Sequence, residues 1–153
     1  MILPSYLVDP WLDGKRTNLD TAKALGNDFE ASLTASAIKV ARRAQTQTCV
    51  ACHSQTRRVW NQKNLAFPQD FYVRQELHHD TAAFAMAFGK ASGLSRPVKE
   101  AADHWLQGPE AYRRTVETQS VKLPDDTVLT MITLIRSRPH QSPAPPCPAA
   151  GLR

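Results

Sequence analysis

Cys49-Val50-Ala51-Cys52-His53 reads C-x-x-C-H, the spacing of covalent haem attachment. In that chemistry two thiols add to the haem vinyl groups, and the adjacent histidine becomes an axial iron ligand. An electron-transfer protein carrying haem c at Cys49, Cys52 and His53 is therefore one reading of the chain. Four features weigh against it. Haem is attached in an oxidising compartment, and the opening residues MILPSYLVDPWLDGKR lack the basic start and unbroken apolar run of an export signal. The methionines that could supply a second axial ligand, Met86 and Met131, sit in apolar runs suited to a core. The motif alternates like a strand, whereas such sites usually open a helix. Residues 58–61 also pair naturally with it as a hairpin.

The same thiols invite two other chemistries. A structural zinc site needs four ligands, usually supplied as two pairs. The remaining candidates, His78, His79, His104 and Cys147, show no such pairing in the sequence. A redox C-x-x-C calls for a helix N-terminus to lower a thiol pKa, and no helix start is evident there. The preferred reading is that Cys49 and Cys52 are small side chains on a strand, pointing to opposite faces. His78-His79, just before Asp80, reads as a solvated turn at a helix start. The sequence carries no G-x-S-x-G, phosphate loop, dinucleotide fingerprint or H-E-x-x-H. No catalytic residue, metal ligand or cofactor is assigned, and catalysis by this chain alone is not expected.

A different chemistry is suggested by Thr34, Lys39, Arg42 and Arg43. They share the polar side of a helix expected over residues 33–44, where they could meet DNA phosphates. Ser32 suits the N-cap of that helix, and Leu33, Ala37, Val40, Ala41 and Ala44 form its apolar stripe. A preceding helix is capped by Asn18 and shows Leu19, Ala22, Leu25 and Phe29 on one face, with the corner at Glu30-Ala31. The pair suits a helix-turn-helix unit or an ordinary helical hairpin. Solvation of a surface helix by these charges is the simpler alternative.

The other elements follow from pattern. Asp9-Pro10 marks a turn. Strands are expected over 48–54, 58–61, 69–74, 113–123 and 127–135, the last the most buried. Helices are expected over 80–89 and 98–106, with a loop between them at 90–96. The proline-rich stretch 137–153 has too few apolar groups to fold and reads as a disordered tail.

Totals set the remaining bounds. The chain has 153 residues, 42% hydrophobic and 22% charged, with a formal net charge of +5, which suits one or two small globular units. The basic excess is spread thinly, so it permits nucleic-acid contact without arguing for it. No apolar run approaches a membrane span. The chain is expected to be cytoplasmic, with its three cysteines as reduced thiols.

Several stretches, in order, resemble the C-terminal part of ImmA/IrrE-type metallopeptidases. They are Met1-Ile2-Leu3-Pro4, the run from Phe29 and Glu30-Ala31-Ser32-Leu33-Thr34 through Ala35-Ser36-Ala37-Ile38-Lys39, Cys49-Val50-Ala51, Val59-Trp60, Trp105 and Val128-Leu129-Thr130-Met131-Ile132. The family carries an F-x-x-S-L-T-x-T-A-I-R run, a C-A-L-V-like strand, a tryptophan-containing hairpin and an apolar closing strand. Lys39 stands where the family often has arginine, keeping the charge but not the fork geometry. The likeness spans about residues 1–136. It implies an α+β fold: a small helical, helix-turn-helix-like region at 1–44, a GAF-like mixed α/β domain at 45–136, and the tail at 137–153.

Complete members carry these parts behind a zinc peptidase domain and relieve transcription by cleaving a repressor. The H-E-x-x-H helix is missing here, so no zinc ligand or catalytic base is carried over to any residue. The resemblance thus implies a truncated, non-catalytic regulatory or sensory relative. The partners it implies are a repressor or other protein, DNA, and a small ligand of the GAF-like part.

Overall fold

The computed structural model describes residues 3–89 and 93–135. Met1 and Ile2, Cys147 and the expected tail lie outside the described residues, as does part of the expected 90–96 loop. Helices α1 (Ser5–Leu12), α2 (Leu19–Phe29) and α3 (Leu33–Arg43) come first. A hairpin of β1 (Thr48–His53) and β2 (Arg58–Lys63) follows, then β3 (Tyr72–Val73) and α4 (Ala82–Phe88). Strands β4 (Val98–Ala101), β5 (Leu106–Gln107), β6 (Thr115–Lys122) and β7 (Val128–Ile135) complete the α+β architecture. Single 3-10 turns at Ala102–His104 and Ala111–Arg113 flank β5.

The main sheet is antiparallel with five strands in the order β2-β1-β7-β6-β4, and β3 pairs with β5 in a separate ribbon. Both faces of the main sheet are covered. Val50, Cys52, Val121, Leu129 and Met131 meet Leu19, Leu25, Val40 and Ala41 of the helices. Cys49, Ala51, Val116, Ile132 and Leu134 meet Phe67, Phe71, Met86 and Trp105 on the other side. Double burial explains why β7 reads as a nearly continuous apolar run rather than strict alternation.

The two expected caps form. Asn18 Oδ1 accepts from the Thr21 N–H at 2.8 Å, and Ser32 Oγ accepts from the Ala35 N–H at 3.1 Å. Between them Glu30 turns the corner in the left-handed region at φ 54°. The corner is tight: a Cβ on Gly26 would lie 2.7 Å from the Ala31 carbonyl oxygen, so this helical position needs glycine.

Helices α1, α2 and α3 share one buried cluster with a face of the sheet. Gln119 of β6 accepts the Leu19 N–H at 2.7 Å and donates to Asp20 and to the Ser95 carbonyl. Trp11 and Leu12 pack against this shared core.

Three expectations are corrected. Asp9-Pro10 lies inside α1 rather than in a turn. The hydrogen bond that Pro10 cannot make would go to Tyr6, whose position is open to solvent, so water can serve that carbonyl. Of the strand expected over 69–74, only Tyr72–Val73 pairs. The helix expected over 98–106 is instead β4, a 3-10 turn and the start of β5. Val98 faces Thr118 and Ala101 faces Thr115, so β6 gains its outer partner; pairing outweighs the helical spacing of Val98, Ala101, Ala102 and Trp105. None of the described helices is long and apolar enough to cross a membrane.

Candidate functional site

The haem-like motif occupies a strand buried along its whole length. Alternation sends Cys49 into the cluster around Phe67 and Trp105, and Cys52 into the opposite cluster beneath the helices. A haem edge cannot reach both thiols without dismantling β1, so the reading of Cys49, Cys52 and His53 as a haem c site is withdrawn. Burial pushes the Cys49 thiol up to about 12 and raises Cys52 as well. Both therefore stay protonated and unreactive at neutral pH.

His53 is spent on packing. Its ring is fully buried, edge-on to Trp105 at 5.8 Å, and Nε2–H donates to the Arg74 carbonyl at 3.0 Å. Nδ1 is buried without a partner, which fits the tautomer that leaves it unprotonated. Burial lowers the His53 pKa; the bond to Arg74 opposes this, while the Arg58 charge adds to it.

The thiols offer a direct check. Iodoacetamide at pH 8 is expected to alkylate Cys49 and Cys52 about 100-fold or more slowly in the native chain than in denaturant, read peptide by peptide in a mass spectrometer. Equal rates would mean that β1 is open to solvent.

The four basic-face residues of α3 are not left as a free stripe. Helix α1 engages two of them: Lys39 Nζ donates to Ser5 Oγ at 2.7 Å, and Arg43 pairs with Asp9 at 2.6 Å. Thr34 is half-buried, and Arg42 is exposed. A hollow of about 360 Å³ beside the Arg43–Asp9 pair is lined by Lys15 and Arg16 together with Asp9 and Asp13, so its charges are mixed.

On the opposite face of the sheet, the structure assembles a group that the linear sequence does not. His78 and Asp80 lie just before α4, and His104 ends the 3-10 turn after β4. One ligand-type atom from each of the three falls within 4.8 Å of the others. The His78 and His104 rings stack at 3.9 Å between centroids and 10° between planes, and His79 stacks on His78 at 4.5 Å. His78 Nδ1 accepts the Asp80 N–H at 3.1 Å and so carries no proton. Desolvation, then the neighbouring His104 and His79, lowers the His78 pKa.

The surroundings explain why these loops sit where they do. Thr81, not Asp80, caps α4: its Oγ1 accepts the Phe84 N–H at 3.2 Å and donates to the His78 carbonyl at 2.7 Å. Asp80 is thereby left facing solvent. Glu100 of β4 braces both sides of the group. Its carboxylate accepts from Trp105 Nε1 at 2.7 Å, Thr118 Oγ1 at 2.6 Å and the Ala82 N–H at 3.3 Å. Arg74 holds the turn that carries His104 by donating to the Asp103 carbonyl at 2.6 Å.

Among the described residues this is the only group of three or more histidine, cysteine, aspartate or glutamate side chains close enough to share a metal ion. The zinc candidates named from sequence thus separate: His78 and His104 come together, while Cys49 and Cys52 lie in the two cores. Sequence reading names His78 and His104 as candidates but does not bring them together, because it places His104 on a helix, and it gives Asp80 no part in a site. In comparisons with known proteins, no family model matches this chain and no curated protein matches it.

Proposed function

We propose that this chain is a non-catalytic regulatory or sensory module, related to the region that follows the peptidase domain in ImmA/IrrE-type metallopeptidases. The observation that carries the reading is the use made of its reactive side chains. Both described thiols and His53 serve as packing, and among the described residues no serine, threonine or cysteine side chain is hydrogen-bonded to a histidine ring. The GAF-like reading of 45–136 is supported by one antiparallel sheet with its first and last strands side by side. Regulation through a protein partner, such as a repressor, fits better than duplex contact, because α1 already engages Lys39 and Arg43 of the four basic-face residues.

The test is made in the native host. Rapid depletion of the chain is expected to change a small, defined set of transcripts at least about twofold, with recovery when the wild-type chain is resupplied. An unchanged transcript profile would overturn the regulatory reading.

A further inference from the structure

We propose that His78, Asp80 and His104 form a binding site for one divalent transition-metal ion of the zinc class. The inference stands apart from the regulatory reading, since it rests on side-chain geometry alone. Donor type, distance and support carry it.

The first is donor type. Two imidazoles and one carboxylate favour zinc, nickel, cobalt, copper or ferrous iron over calcium and magnesium, which seek oxygen ligands. The second is distance. The three ligand atoms already lie within 4.8 Å of one another. Around an ion bonded at about 2.0–2.2 Å, tetrahedral ligand atoms stand roughly 3.4 Å apart and the ion lies in the plane of each imidazole, so closing the site takes about 1 Å of approach and a turn of His78 or His104 out of their nearly parallel stack. His78 and His104 are half-buried and Asp80 is exposed, so rotamer changes can supply that movement without repacking a core.

The third is support. Ligands that come from separate loops need those loops held. Glu100 ties the start of α4 to Trp105, next to His104, and Thr81 ties the His78 carbonyl to the same helix start. The Nε–H of Arg74 donates to the Asp103 carbonyl. Three protein ligands leave at least one position for water or a further donor, as in open metal sites. His79, stacked on the outside of His78, is a neighbour and not part of the ligand set.

The experiment uses the full, tag-free chain titrated with Zn²⁺ against a chromogenic chelator, and with Co²⁺ read by its visible absorption. One ion per chain is expected, without the near-ultraviolet band of a cobalt–thiolate bond. His104→Ala and Asp80→Asn are each expected to weaken Zn²⁺ binding at least about tenfold. Both should leave the circular dichroism of the metal-free chain unchanged. Should His104→Ala fail to fold, Asp80→Asn decides, because Asp80 is exposed and bonds no core group. Absence of one-to-one binding, a thiolate band, or unchanged affinity in the folded variants would overturn the proposal. The transcript measurement is independent of these outcomes, so either result can fail alone.

Discussion

Asn64→Ala is expected to lower the unfolding free energy by about 3–5 kcal/mol, the larger of two effects that follow from the packing. Asn64 is 5% exposed and follows β2 directly. Its Nδ2 donates to the carbonyls of Ala41 at 2.9 Å and Thr46 at 2.8 Å. Its Oδ1 accepts the N–H groups of Thr48 at 3.3 Å and Phe67 at 3.1 Å. One side chain thus satisfies the end of α3, the entry to β1 and the loop beyond β2. Alanine strands these groups where water has little access, and each stranded group costs about 1–3 kcal/mol.

Asn64→Asp is the sharper variant. It keeps the shape but turns an acceptor toward two carbonyls, and it should cost at least as much as alanine. Urea unfolding with matched slopes measures both. A loss below about 1 kcal/mol would show that water takes over the role of the amide.

Gly108→Ala is expected to cost about 2–3 kcal/mol through overpacking. Gly108 itself is exposed, yet a Cβ there would stand 1.9 Å from Phe71 Cδ1 and 2.9 Å from the Asp70 carbonyl oxygen. The Phe71 ring is buried in the core beneath β3 and β5 and cannot simply swing away. Steric conflict, and not backbone strain, is the cause, so the effect should depend on the ring. In a Phe71→Leu background the penalty for Gly108→Ala is expected to shrink by at least about 1 kcal/mol, as a double-mutant cycle would read. An equal penalty in both backgrounds would remove Phe71 from the explanation.

These two residues show where sequence reading stops. Asn64 follows a strand and looks like an ordinary loop asparagine. Gly108 precedes Pro109 and looks like a turn glycine. Their partners lie in segments that no local pattern connects to them. The same holds for Gln119, which alternation alone cannot tell from any polar strand residue, although its side chain holds the start of α2.

The caps at Asn18 and Ser32, the helical faces that follow them, the β1–β2 hairpin and the long β6–β7 pair were all legible, because each rests on a local pattern: a cap, a helical period, or two strands joined by a short turn. The opposite orientation of Cys49 and Cys52 was legible too, since strand alternation is a property of the backbone. Tertiary structure alone decided that residues 98–101 become an edge strand, because the free edge of β6 offers hydrogen bonds that a short amphipathic helix cannot match. That choice carried His104 to the side of His78, and tertiary packing likewise paired Lys39 and Arg43 with α1. Local periodicity records which face of an element is apolar. It does not record which distant element that face will meet, and on this chain the arrangement of the functional side chains depends on that meeting.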